Sequence, residues 1–193
     1  MEKFYSLQGE GYNTGTAAYF IRIGGCDVSC NWCDVKESWN EAMHPLIFTD
    51  DIISDIIEKK VNNVVITGGE PLRFNLDYFS SELRKNNIRS FLETSGTAHF
   101  SGKWDWICLS PKKNFPPKDI YFEFADELKV IIQDESDFEW AENNRQKLKK
   151  ECHLYLQPEW SVYNKIIDII IEYIKLNPCW RLSLQVHRFL KIP

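Results

Sequence analysis

With 193 residues, 44% of them hydrophobic and 26% charged, the chain is long enough for one well-filled core and too short for two ordinary domains, so a single domain over 1–193 is expected. A formal net charge of -5, with no basic run beyond Lys147-Leu-Lys149-Lys150, argues against nucleic acid as a partner. No charged-then-apolar signal segment opens the chain, no apolar run approaches the roughly 20 residues of a membrane span, and six cysteines without secretory features read as reduced thiols of a cytoplasmic protein.

In chain order, the first informative stretch is Tyr5-Ser-Leu7-Gln8-Gly9-Glu10-Gly11, so near the N-terminus that little sequence is left for a strand before it. Its amide and carboxylate groups on glycine-interleaved backbone suit the donor-rich edge of a heterocycle, the alternative being an ordinary turn. A strand is predicted over 18–23. It carries Arg22, which either pairs bidentately with a carboxylate ligand or is merely solvated, and it feeds through two glycines into Cys26-Asp-Val-Ser-Cys30-Asn-Trp32-Cys33. Three thiolates at this spacing suit an iron-sulfur cube and leave one iron open, whereas four would close it. The competing reading is a structural zinc site, which needs a fourth ligand such as the distant Cys108 or His44.

Next, 50–60 carries Ile52, Ile53, Ile56 and Ile57 on one face of a predicted helix capped by Thr49 or Asp50. The strand predicted at 63–67 runs into Thr67-Gly-Gly69-Glu70-Pro71, where paired glycines let backbone approach a ligand closely; a plain strand-to-helix turn with Pro71 in its first turn is the alternative. A helix at 77–86 and a strand at 89–93 follow, ending in Glu93-Thr-Ser95-Gly96, with Glu93 either facing a ligand or simply ending the strand. The strand at 106–109 leads into Ser110-Pro111-Lys112 and an ordered Pro- and Lys-rich loop. Beyond it lie a strand at 128–132, a helix at 136–150 and a strand at 153–157 ending in Gln157-Pro158-Glu159-Trp160. The chain closes with a helix at 161–176, burying Ile166, Ile167, Ile170, Ile171 and Ile174, and a strand at 182–186 that reaches Gln185-Val-His187. Strands alternating with helices predict an α/β fold with a parallel sheet. Ligands bind at strand C-termini in such folds, so the polar strand ends read as one rim.

Taken together and in order, Ser6-Leu-Gln-Gly-Glu-Gly11, Phe20-Ile-Arg22-Ile-Gly-Gly-Cys26, Cys30, Trp32-Cys33-Asp34, Thr67-Gly-Gly-Glu-Pro71, Glu93-Thr-Ser-Gly96, Ser110-Pro-Lys112, Gln157-Pro158 and Gln185-Val-His187-Arg-Phe-Leu-Lys-Ile-Pro193 resemble the 7-carboxy-7-deazaguanine synthase family of radical S-adenosylmethionine enzymes. The resemblance implies a shortened, incomplete (β/α) barrel. It implies conversion of 6-carboxy-5,6,7,8-tetrahydropterin to 7-carboxy-7-deazaguanine with release of ammonia, a step toward queuosine and other deazapurines. It further implies a 4Fe-4S cluster on Cys26, Cys30 and Cys33, with S-adenosylmethionine on the open iron cleaved by an electron to a 5'-deoxyadenosyl radical. Carried over position by position, Trp32, Gly69, Glu70, Ser95, Ser110, Pro111, Lys112, Gln157, Pro158, Glu159 and Trp160 belong to the S-adenosylmethionine side. Leu7, Gln8, Gly9, Glu10, Arg22, Thr67, His187 and Pro193 belong to the substrate side.

One position departs from the family pattern. Two residues after the third cysteine, where members place a Thr or Ser hydroxyl on a Mg2+, stands Val35, which has no oxygen to give, so Mg2+ is either held by substrate, water and backbone or dispensed with. The resemblance also implies an electron donor such as flavodoxin or ferredoxin, and the open flank of a trimmed barrel favours a homodimer. The alternative readings are an activase that installs a glycyl radical on a partner protein, which would need a protein-docking surface, and a non-catalytic zinc-binding module.

Overall fold

The computed structural model describes residues 2–193 as one eight-stranded sheet with helices along one face. Its strands are β1 (Glu2–Leu7), β2 (Ala17–Ile23), β3 (Asn63–Gly68), β4 (Arg89–Thr94), β5 (Trp106–Leu109), β6 (Glu127–Ile132), β7 (His153–Pro158) and β8 (Trp180–Leu182). The helices are α1 (Thr49–Glu58), α2 (Asp77–Lys85), the single turn α3 (Tyr121–Phe124), α4 (Ser136–Arg145), α5 (Tyr163–Leu176) and α6 (Val186–Leu190). Strands lie side by side in the order in which they occur along the chain. β1 runs antiparallel to β2 and every other neighbouring pair is parallel. A sheet wound in one direction without reversal is the winding of a (β/α) barrel, not of a doubly wound sheet. Here it stays open, because among the described residues no ladder joins β1 to β8.

Period-two alternation divides the strand side chains between two surfaces. Tyr19 and Ile21, Val64 and Ile66, Leu92, Ile107 and Leu109, Leu128, Val130 and Ile132, and Leu154 and Leu156 pack outward on helical residues that include Ile53, Ile56, Phe79, Leu83, Phe138, Ile166 and Ile170. The residues between them point inward. Ala18, Phe20, Val65 and Phe91 form a small apolar cluster with Phe4 and Trp106. Beyond it, toward the strand C-termini, the inward side chains turn polar: Arg22, Thr67, Glu93, Lys129 and Gln157 line the concavity.

Five sequence expectations are corrected. A six-residue strand, β1, does precede the Gln8 motif. The last strand is only Trp180–Leu182, and the residues predicted to extend it instead turn at Gln185 into α6. On α1, Ile53 and Ile56 are buried while Ile57 is 44% exposed, and Phe48 holds the cap position with no capping side chain. α4 ends at Arg145, because the chain peels away to let the Lys149 amide donate to the Phe122 carbonyl at 3.0 Å. On α5 only Ile166 and Ile170 are fully buried, and a 3-10 turn over Trp160–Val162 precedes it.

Candidate active site

The cluster loop is held by backbone before any metal is considered. Gly25 donates to Ser38 O at 2.6 Å, Cys26 to Trp39 O at 3.3 Å, and Cys33 to Cys30 O at 2.9 Å. From β3, Gly69 donates to Ile23 O at 2.9 Å and Glu70 to Gly25 O at 2.8 Å, so the two glycine-rich strand ends lie against each other. Only glycine fits at position 69: a Cβ there would come within 2.2 Å of Gly25 O and 2.9 Å of the Cys26 Cβ. This is a close-approach glycine and not merely a turn.

Cys26, Cys30 and Cys33 are unpaired thiols, and all three line a pocket of about 270 Å3 at the strand C-termini. No three His, Cys, Asp or Glu side chains among the described residues converge as ligands of a single ion. Three soft donors that face one cavity without meeting at a point fit a cube, in which each thiolate takes its own iron.

The same pocket gathers most of the residues expected on the S-adenosylmethionine side: Trp32, Gly69, Ser95, Ser110, Lys112, Gln157, Pro158, Glu159 and Trp160. Glu70 and Pro111 lie behind the wall. The Glu70 carboxylate, 1% exposed, accepts from Thr94 Oγ1 at 2.7 Å, the Ser95 amide at 2.8 Å and the Leu72 amide at 3.2 Å. It thus braces β3 against β4. Lys112 Nζ donates to Ser110 O at 2.6 Å and lies 5.4 Å from the Trp32 ring centroid, and Glu159 accepts from the Ser161 amide at 3.0 Å.

All eight residues expected on the substrate side, Leu7, Gln8, Gly9, Glu10, Arg22, Thr67, His187 and Pro193, line this pocket too. The chain's two ends meet here: Val186 donates to Gly9 O at 2.9 Å and Ser6 Oγ to Pro193 O at 2.9 Å. The His187 ring packs where a side chain on Gly9 would be, 2.2 Å from its Cβ position. Arg22 Nε stands 2.6 Å from Glu2 Oε1 but is not aligned to donate to it, so the pair is ionic contact only.

Lys129 and its strand neighbour Glu127 carried no motif. Lys129, 4% exposed, places its ammonium 2.6 Å from Glu10 Oε2 and 3.1 Å from Glu93 Oε2. Burial alone would pull its pKa down, but the carboxylates of Glu10 and Glu93 beside it more than reverse this and hold it well above the usual lysine value. Burial raises the Glu10 carboxyl, yet Lys129 outweighs it and brings the group down to about 2. Glu127, two residues before Lys129 on the same face, is pushed up to about 7 by burial. Its Oε2 accepts from Trp106 Nε1 at 3.1 Å and the Tyr12 amide at 3.2 Å, and its Oε1 has no partner. Burial also holds His187 below its ordinary value. Asp34 looks outside its own loop, accepting from Arg188 at 3.1 Å and Gln185 at 3.4 Å. The available signal was a charge on every second residue of Glu127-Leu-Lys129, which marks an inward polar edge on an otherwise apolar strand.

Residues 7–149 match the family described as a 4Fe-4S single cluster domain, which sets the class as a protein built around one cubane cluster. Over its full length the chain is 51% identical to the 7-carboxy-7-deazaguanine synthase of Flavobacterium psychrophilum, covering 91% of that protein. It is 44% identical over 99% of its length to that of Synechocystis, again covering 91% of the relative. The crystal structure of QueE from Escherichia coli superposes with a TM-score of 0.87 at 31% identity, over 96% of this chain and 92% of that one. The chain belongs to the 7-carboxy-7-deazaguanine synthase family.

Proposed function

We propose the following division of labour for converting 6-carboxy-5,6,7,8-tetrahydropterin to 7-carboxy-7-deazaguanine with loss of ammonia. Cys26, Cys30 and Cys33 hold the 4Fe-4S cluster. Trp32, Gly69, Ser95, Ser110, Lys112 and the stretch from Gln157 to Trp160 bind S-adenosylmethionine, with Glu70 and Pro111 supporting that wall from behind. Leu7, Gln8, Gly9, Glu10, Arg22, Thr67, His187 and Pro193 hold the substrate. When bound, the cluster and S-adenosylmethionine supply the electron and the radical that removes hydrogen from the substrate carbon bearing the carboxylate. The chain's own residues bind, orient and exclude water, and no side chain is assigned a covalent step.

The observation that carries this reading is that both residue sets and the three thiols line one pocket. The same reading makes residues 1–193 a single domain that draws its electron from a flavodoxin or ferredoxin in the cytoplasm; no described helix is long and apolar enough to cross a membrane. The open side of the barrel is assigned to a second copy of the chain, which light scattering checks as a mass twice the 22.7 kDa of one chain. Val35 lines the pocket with an apolar side chain, so Mg2+ is either held by substrate, water and backbone or dispensed with, and turnover with and without Mg2+ decides between the two.

The test is an anaerobic assay of the reconstituted, reduced protein with S-adenosylmethionine and 6-carboxy-5,6,7,8-tetrahydropterin, with and without Mg2+, following 7-carboxy-7-deazaguanine by mass spectrometry. Product in either arm supports the reading. A brown protein that cleaves S-adenosylmethionine without forming product overturns the substrate assignment, and a colourless zinc protein overturns the whole.

A further inference from the structure

Two carboxylates facing one partly enclosed pocket repel each other, and without a counter-charge one of them takes up a proton. Glu10 and Glu93 are such a pair. Each gives one oxygen to Lys129, at 2.6 and 3.1 Å. Each gives its other oxygen to a glutamine amide 3.0 Å away, Gln185 for Glu10 and Gln8 for Glu93. The arrangement is symmetrical in chemistry although its parts come from the two ends of the chain and two separate strands. Every carboxylate oxygen in it accepts one protein hydrogen bond, which leaves lone pairs for a ligand.

We propose that Lys129 is a positioning residue for the substrate: clamped between Glu10 and Glu93, it holds both carboxylates in place as acceptors for the amino-amidine edge of the reduced pterin. This rests on the substrate reading above. The chemistry on the ligand side is a planar edge with adjacent N–H donors, the pattern a carboxylate binds in bidentate fashion. The cluster of one cation and two anions carries a net negative charge into the pocket wall, and donors offset that charge where acceptors would not.

The other titratable neighbours fit this role. Glu127, next on the same face, has its carboxyl pushed up to about 7 by burial, so it competes for Lys129 less than an ordinary glutamate would. Cys108 is held as the thiol by burial. Burial lowers His187, which leaves it neutral beside Glu10, and Lys112 is committed to Ser110.

The test uses the anaerobic holoenzyme and the variants Lys129→Met and Lys129→Met/Glu93→Gln, the second of which removes one charge of each sign. Fluorescence titration with 6-carboxypterin, the oxidised analogue, reads equilibrium binding beside turnover. For Lys129→Met, the expected result is at least a tenfold rise in Kd for the pterin and in KM for the substrate. S-adenosylmethionine affinity and iron content stay as in the unsubstituted enzyme. Binding also becomes pH-dependent, weakening as pH falls because one of the paired carboxylates protonates. The double variant binds the pterin as weakly, but with a flat pH profile. Pterin affinity like that of the unsubstituted enzyme in either variant overturns the proposal, as does a loss shared equally by S-adenosylmethionine and iron. Absence of product from the unsubstituted enzyme overturns the substrate reading itself, a result that these binding ratios do not mimic.

Discussion

Glu127 shows burial of a carboxylic acid outweighing the pull of a neighbouring ammonium and two hydrogen bonds. Its folded pKa of about 7 lies above the value of 4.5 for an ordinary glutamate. The native state therefore holds more protons than the unfolded chain between those two values. Stability falls as pH rises through that window and levels off above it. Glu127→Gln keeps the acceptor for Trp106 and Tyr12 and cannot ionise. Its melting temperature is expected to match that of the unsubstituted protein near pH 4.5 and exceed it by several degrees at pH 8, as scanning calorimetry at the two pH values would record. Gly69 is a different case, fixed by space and not by charge. A methyl group there would overlap Gly25 O at 2.2 Å, and backbone cannot yield as a flexible side chain can. Gly69→Ala is expected to lower iron content after reconstitution and to cut S-adenosylmethionine cleavage by at least tenfold, measurable as 5'-deoxyadenosine released.

At the scale of elements, α6 is held to the cluster loop by Asp34, which accepts from Arg188 and Gln185. The Arg188–Asp34 pair is 28% and 45% exposed, so its strength is that of a surface ion pair, about 0.5 kcal/mol. Arg188→Ala is accordingly expected to raise the KM for substrate about two- to threefold with iron content unchanged, a split that steady-state kinetics and iron analysis resolve. The parallel strands were legible in the sequence because they are apolar runs ended by glycine or polar motifs, and β3 through β7 lie within a residue or so of their predicted bounds. β1 was not legible. Its residues are half-buried or exposed along its whole length, so no apolar face announced it. β8 has three residues, and Gln185-Val-His187 reads equally well as the end of a strand or the first turn of α6. Of the site, the pocket-lining residues that sit in polar or glycine-bearing strand-end motifs were legible, whereas Glu70 and Pro111, expected on the S-adenosylmethionine side, lie behind the wall. Lys129 was not legible, because a lysine on a strand signals solvent until the strand is known to border a polar cavity.

The whole molecule is wound from neighbours, each strand beside the one made before it, yet one side of its pocket is bounded by contacts across nearly the full length of the chain. Gly11 to Ser183, Glu10 to Gln185 and Ser6 to Pro193 span 172, 175 and 187 positions. These three seam contacts are hydrogen bonds and not apolar packing, which places the seam in the weakly held part of the structure. Native-state hydrogen exchange is expected to show the amides of Gly11 and Val186 opening well before those of Val65 and Leu92 in the sheet centre. Closing a short loop between adjacent strands costs little entropy, whereas joining the chain's extremes costs the most a chain of this length can incur. The scaffold can therefore assemble progressively from its middle, with the reaction chamber shut last. A nascent chain would present its three thiols at the rim while the chamber is still agape, an interval in which a bulky metal cargo could be handed over before the final residues latch the door.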